Sequence, residues 1–215
     1  MPHRFLLRPI RDELRTMNFA TSAADAAWVA IDTPLTPQTL ADFCQDLERL
    51  YRINPYLEFR SWRNDKNGQI QIVFRNLSSR RDFDLRLRIE RNSAFDFTVR
   101  YDQGAKRSTR FRVEAAPGGS RLRITDDYTP PANGTPADPD EADKSLHAWG
   151  VALHTYLQRE SRWGKLSIWR WYMHHVWIPM KPAARRITFI ILMVMFAEIV
   201  LFALVMAIYW IENRH

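Results

Sequence analysis

The sequence predicts an α+β domain, a curved antiparallel sheet packed around a long helix, joined to a single C-terminal membrane-spanning helix. Three observations predict it. Six short segments with period-2 apolar alternation fill residues 57–128, a helical apolar stripe follows up to Trp163, and the 25 residues from Ile187 to Ile211 contain no Lys or Arg.

Taken in order, residues 1–25 form a basic N-terminal arm. Leu7, Ile10, Leu14 and Met17 fall at helical spacing, while Arg4, Arg8, Arg11 and Arg15 recur every three or four residues. That pattern fits a helix on an anionic surface or a partner, or equally a solvated arm. Small polar residues over 18–25 predict a linker. Residues 26–164 form the folded domain. Its first strand is Ala26–Asp32, and Thr36 with Pro37 then marks a helix start, with Leu40, Phe43, Leu47 and Leu50 on one face up to Tyr51.

Strands are expected at Leu57–Arg63, Gln69–Arg75, Phe83–Glu90, Phe95–Tyr101, Ser108–Ala115 and Arg121–Tyr128, separated by turn residues such as Asn67-Gly68 and Pro117-Gly118-Gly119. One face carries Leu85, Leu87 and Ile89, Phe95, Phe97, Val99 and Tyr101, Phe111 and Val113, Leu122 and Ile124. The other carries Arg86, Arg88, Arg100, Arg110, Arg112, Arg121 and Arg123 among Asp84, Glu90, Asp96 and Glu114. Either that face is solvated and laced with cross-strand ion pairs, or it is a basic surface toward lipid or an acidic subunit.

After a Pro- and Gly-rich loop at 129–136, Asp138, Pro139 and Glu141 signal a long helix with a stripe of Ala142, Leu146, Trp149, Leu153, Tyr156 and Leu157, stopping near Gly164. Residues 165–186 hold Trp169, Trp171, Tyr172 and Trp177 beside basic residues, a composition expected at the headgroup level, with Pro179 and Pro182 breaking the segment before the bilayer. The span 187–211 is long enough for a bilayer core of about 30 Å. Its one charge, Glu198, costs roughly 3 kcal/mol near the middle, and its 15 Leu, Ile, Val and Phe residues each return about 0.3–0.6 kcal/mol.

Lys165, Arg170, Lys181, Arg185 and Arg186 precede the span, and Arg214 alone follows it within the tail 212–215. The positive-inside rule therefore places the domain in the cytoplasm and the chain in the membrane as a single-pass protein, and no signal-peptide pattern opposes this. The lone Cys44 excludes an internal disulfide framework and reads as a packing residue. A net charge of +7 and a pI near 9.8 call for an anionic neighbour, and beside an anchor that neighbour is lipid and not nucleic acid.

The element order of strand, helix with a short second helical turn at Thr36–Tyr51, six antiparallel strands and a final helix containing Leu146-His147-Ala148-Trp149 through Tyr156-Leu157 resembles the SRPBCC superfamily over about Ala26 to Arg162. This superfamily comprises START-like, polyketide-cyclase and coenzyme Q-binding-like domains with a helix-grip fold. The resemblance implies a hydrophobic cavity between sheet and last helix that holds lipids, quinones, sterols or polyketides. Its lining would come from Phe59, Phe74, Leu87, Phe97, Val99, Phe111, Val113, Leu122, Trp149, Leu153 and Tyr156. From the residues alone, a packed core is an equal reading of the same list.

No cofactor, metal or nucleophile motif emerges. His147 and His154, seven apart, and the adjacent His174 and His175 lack the spacing of a helical zinc site, and read as solvated or interfacial. Asp126 and Asp127 make a candidate carboxylate pair, whereas the acids from Asp138 to Asp143 suit a helix N-terminus. Enzymatic chemistry, of a cyclase type, would need polar groups converging in the cavity. An intramembrane carboxylate usually faces a partner helix, cavity or water, so Glu198, with Trp169, Trp171, Trp177, Arg185 and Arg186 at the interface, predicts contact with lipids and an integral membrane partner, the alternative being a protonated, neutral Glu198 that persists in hydrocarbon without a partner. Two functions follow: a membrane-anchored domain that binds an apolar ligand and presents it to a membrane enzyme, or a non-catalytic accessory subunit with a closed cavity.

Overall fold

The computed structural model describes residues 17–22, 26–65, 68–104, 106–128 and 139–213. The chain divides into two compact units, Met1–Ile178 and Pro179–His215. The first holds strands β1 (Met17–Ser22) and β2 (Ala26–Thr33), helices α1 (Pro37–Gln45) and α2 (Leu47–Arg52), strands β3 (Leu57–Asn64), β4 (Ile70–Asn76), β5 (Asp82–Ser93), β6 (Asp96–Tyr101), β7 (Ser108–Ala116) and β8 (Gly119–Asp127), then α3 (Pro139–Trp163) and α4 (Ser167–Tyr172), continued by one π-helical turn at Met173–Trp177. The second contains α5 (Pro182–Glu212).

All eight strands join one antiparallel sheet in the order β1-β2-β8-β7-β6-β5-β4-β3. From β2 onward this is the helix-grip α+β arrangement that the sequence predicts, with β2 returning beside β8 and α3 packed on the sheet. Alternation decides which face is buried. Leu122, Ile124 and Asp126 of β8, Thr109, Phe111 and Val113 of β7, Phe97 and Val99 of β6, and Leu85 and Leu87 of β5 are all inside, while intervening residues point out. Phe95, expected on the inner face, is exposed because it lies in the turn before β6. Leu146, Trp149, Leu153, Tyr156 and Leu157 of α3 complete the same core.

Two further features depart from the sequence expectations and one sharpens them. The 18–25 linker is instead an edge strand for the most part, β1, with Met17 paired to Ile31 and Ser22 to Ala26. Its backbone satisfies the free edge of β2, a gain that does not depend on apolar alternation. The rest of the arm, 1–16 and 23–25, lies outside the described residues. The 36–51 helix is two: Asp46 ends α1 and accepts a hydrogen bond from the Arg49 amide at 3.1 Å to cap α2, after Thr36 has capped α1 at the Thr39 amide. Finally, Pro182 does not end a segment but occupies the first turn of α5, where a missing N–H costs nothing.

The β7–β8 hairpin shows why its glycines are there. Gly118 has φ +81°, and a Cβ on Gly119 would lie 2.1 Å from the Thr33 carbonyl oxygen, so β2 can close against β8 only at a glycine. On the outer face the arginines pair with acids: Arg110 and Arg112 with Asp96, Arg100 with Glu90, Arg121 with Asp32, and Arg60 with Asp82. Arg123 stacks over Trp28 at 5.1 Å. These contacts match the solvated, cross-paired reading of that face.

Helix α5 runs 31 residues, has a mean hydropathy of 2.9 over its most apolar window, and none of that window is buried. It is long and apolar enough to cross a membrane. Glu198 lies within it and is exposed, like every residue from Phe189 to Glu212.

Candidate functional site

Strand parity places a polar cluster at one end of the apolar interior. In β8, two residues beyond Ile124, the inward position is Asp126, and its partner across the β7 ladder is Thr109. In β6, two residues beyond Val99, the inward position is Tyr101, at the strand end. These three side chains therefore share one corner of the concave face. Asp126 and Thr109 are fully buried.

Their hydrogen bonds form a chain. Thr109 donates its hydroxyl to Asp126 Oδ1 at 2.5 Å, Tyr101 and Thr109 hydroxyls lie 3.0 Å apart, and those of Tyr51 and Tyr101 lie 2.5 Å apart. The Tyr128 hydroxyl donates to Asp126 Oδ2 at 3.2 Å. Lys106, from the β6–β7 connection, brings its Nζ to 2.6 Å from the same oxygen. Its ammonium also stands over three rings, Tyr101, Tyr128 and Trp149, at 5.8–5.9 Å from their centroids.

A buried carboxylate needs such compensation, because an unpaired charge in this setting costs several kcal/mol. Burial works against the charged ammonium of Lys106, but Asp126 outweighs it and holds the group protonated well above the ordinary lysine range. Burial raises the Tyr51, Tyr101 and Tyr128 phenols, and the Asp126 charge adds to this, so all three stay neutral donors.

The residues expected to line a cavity do converge. Phe74, Leu87, Phe97, Val99, Phe111, Val113, Leu122, Trp149, Leu153 and Tyr156 are buried in one cluster, with Phe59 half-buried against it. Many of their rings touch: Phe97 stacks on Phe111 at 5.0 Å, Phe111 meets Trp149 edge-on at 5.9 Å, Tyr51 meets Trp149 at 5.2 Å, and Phe59 meets Phe74 at 5.5 Å. The Trp149 indole also donates to the Leu50 carbonyl at 3.0 Å, fixing α3 to α2. A separate depression of about 140 Å³ lies at the β5–β6 hairpin, lined by Gln45, Arg91, Asn92, Ser93, Ala94 and Phe97. It is smaller than the roughly 300 Å³ or more of typical small-molecule sites.

A second cluster joins α2, α3 and the segment after them. Arg49 stacks over Phe43 and Tyr156 at about 5 Å, donates to the Tyr156 hydroxyl, and pairs with Glu160 at 3.2 Å. Burial pushes the Tyr156 phenol up to about 12. His174 is shifted down by partial burial and by the nearby Arg49 charge. His154 is buried, contrary to the solvated reading, and its Nδ1 has no hydrogen-bond partner among the described residues.

The 165–186 segment divides, where the sequence treats it as uniformly interfacial. Met173 and Ile178 are buried, and Trp169, Tyr172 and Trp177 pack against the core, with Trp177 at 5.8 Å from Tyr156. Trp163, Leu166, Ile168 and Trp171 point out, Ile168 being 76% exposed. Between them stand Lys165 and Arg170, and no acid occurs from 161 to 178. Arg185 is half-buried and has interactions within the chain, while the Arg186 side chain lies outside the described residues.

The polar corner is what the sequence reading missed. Asp126 was visible only as one of two adjacent acids, yet it continues the inward parity of Leu122 and Ile124, as Thr109 continues that of Phe111 and Val113. Asp127, one residue on, points away from Asp126 and pairs in register with Ser108 and Ala26.

No family model matches the chain. No curated protein matches it. Among solved structures, a START superfamily protein from Mycobacterium smegmatis is similar at 13% identity with a TM-score of 0.47, over 62% of this chain and 97% of its own. An AHSA1-like protein from Aeromonas hydrophila is similar at 14% identity and 0.42, over 61% and 93%. A protein from Rhodobacter sphaeroides is similar at 15% identity and 0.42, over 66% and 97%.

Proposed function

We propose that this protein is a membrane-anchored binding module that takes an apolar molecule, of lipid or quinone type, into the grip between sheet and α3 and presents it to a membrane enzyme. The single observation behind this reading is the corner at Asp126. A carboxylate, three phenols and an ammonium gathered at one end of an otherwise apolar interior make the layout of an amphiphile site, with polar groups for a head and apolar side chains for a tail. A core serving stability alone would be as well served by apolar residues there. The apolar length of α5 and the outward Trp163, Leu166, Ile168 and Trp171 support the membrane half of the reading, and the basic residues ahead of α5 support a cytoplasmic domain.

The mutual ring contacts of Phe97, Phe111, Trp149 and Tyr51 favour a second reading, a closed domain that acts as an accessory subunit and meets its partner through α5 and Glu198. Native mass spectrometry of the protein released gently from its own membrane separates the two. A small-molecule adduct retained on the chain is the expected result. A stoichiometric protein partner with no small molecule overturns the binding module in favour of the subunit.

A further inference from the structure

The chain supplies the chemistry of a ligand for the polar corner out of its own sequence. Lys106 is an alkylammonium tethered to a strand connection, with its charge against a fully buried carboxylate and three aromatic faces. Several aromatic faces around one cation form the arrangement that recognises alkylated ammonium groups in general, and the carboxylate adds a direct counter-charge. Tyr101 and Tyr128 are each held by a hydrogen bond, and Trp149 by its bond to Leu50, so the box is positioned by contacts that do not involve Lys106.

Lys106 itself is not sealed in as Asp126 is. Its side chain is 26% exposed, against none for Asp126, so its flexible stem can turn toward water without any strand moving. Emptying the corner that way leaves Asp126 with the hydroxyl donors Thr109 and Tyr128 but no counter-charge, a loss that another cation in the same place would make good.

We propose that Asp126, Tyr101, Tyr128 and Trp149 form a binding box for the ammonium head of an amphiphile, and that Lys106 occupies it in the unliganded protein as a tethered competitor. The tail would lie in the grip, so this inference rests on the apolar-ligand reading above. The class is a long-chain primary or quaternary amine, or a lipid with such a head. A carboxylic acid or a phosphate head is excluded by the Asp126 charge.

The test is chemical rescue in the full chain, using Lys106→Ala in detergent and reading the thermal midpoint. Butylammonium chloride, one carbon longer than the propylammonium group that the substitution deletes, is compared with butanol and with NaCl at equal concentration. Saturable stabilisation by butylammonium with an apparent affinity at least about tenfold above that of butanol, absent in Lys106→Ala/Asp126→Asn, is expected. Equal effects of amine and alcohol overturn the box. If Lys106→Ala does not fold, the unaltered chain is ¹³C-methylated on its lysines and titrated with dodecyltrimethylammonium. The Lys106 signal, displaced by three ring currents, must move toward the free-lysine position, and a fixed signal at saturation overturns the proposal. Dodecanol separates the two ideas: binding of the alcohol, together with a Lys106 signal that dodecyltrimethylammonium does not move, keeps the apolar site and removes the box, whereas box binding with no preference for a dodecyl over a butyl chain removes the apolar site.

Discussion

Replacing Asp126 by Asn removes one charge from the molecule and almost no volume. Asn can still accept from Thr109, but it cannot compensate Lys106, which loses its counter-charge at 2.6 Å. Breaking a buried ion pair from one side costs about 3–5 kcal/mol. The lower end applies, because Lys106 can move its ammonium toward solvent at the price of three ring contacts. About 3 kcal/mol corresponds to a fall in thermal midpoint of roughly 6–12 °C for a domain of this size. Thermal unfolding of the full chain in detergent, followed by circular dichroism, reads that shift. The partner substitution Lys106→Met, and the pair together, complete a double-mutant cycle. The double variant should recover most of the loss, since two neutral side chains leave no buried charge. A loss below about 1 kcal/mol for Asp126→Asn, or no coupling in the cycle, refutes the claim that the pair is a buried, interdependent unit.

Four further outcomes follow from the same geometry. With its phenol held near 12 against an unfolded value of about 10, Tyr156 contributes stability that is intact below pH 10 and is lost as pH rises toward 12, because the unfolded chain releases that proton first; Tyr156→Phe should flatten its part of the alkaline slope in urea titrations, and an unchanged slope contradicts the assigned environment. The Arg110 hydrogen bond lowers Asp96, so its contribution is present above pH 3.8 and fades as pH falls below it; on so exposed a face it is worth at most about 1 kcal/mol, and a larger acid effect of Asp96→Asn would show that this face is covered. In vesicles with brominated lipids, Trp163→Phe/Trp171→Phe should remove much of the tryptophan quenching, while Trp169→Phe/Trp177→Phe leaves it intact; the reverse result would show that the inward tryptophans face lipid. Glu198→Leu relieves roughly 3 kcal/mol of insertion cost, and if a partner helix is what offsets that cost, the variant should release the co-purifying membrane protein.

The sheet was legible because its alternation is nearly unbroken: Leu85 and Leu87, Phe97 and Val99, Phe111 and Val113, Leu122 and Ile124 are inside, as their period requires. The same parity pointed to Asp126, Thr109 and Tyr101, but a polar residue at an inward position does not signal itself in an apolar pattern. Lys106 carried no signal, since a strand connection has no period. Arg49 and Tyr156 lie 107 residues apart, and only the docking of α3 on α2 brings them together. The 165–186 segment reads as interfacial by composition, but Trp169, Met173 and Trp177 recur every fourth residue and so share the inward face, the last two within a π-helical turn. The edge strand β1 is formed by backbone pairing with β2, for which its composition gave no cue.

The ring contacts set a threshold on what the grip can take. Parting one aromatic pair costs about 0.5–1.5 kcal/mol beyond the area involved, and parting Lys106 from Asp126 costs about 3 kcal/mol more. Each methylene transferred from water returns about 0.8 kcal/mol, so roughly six methylenes repay the reorganisation alone. Small aromatic acids and phenols fall below that threshold, and long-chain amphiphiles lie above it. An ammonium head restores the Asp126 pairing that it breaks, whereas a neutral head leaves that loss standing. Affinity along an alkylamine series should therefore climb by about fourfold per methylene, as 0.8 kcal/mol requires. Isothermal titration of the full chain with six- to fourteen-carbon amines measures that slope. A flat series would show that the tail never enters the interior, and the packed aromatic core would then be the whole purpose of the grip.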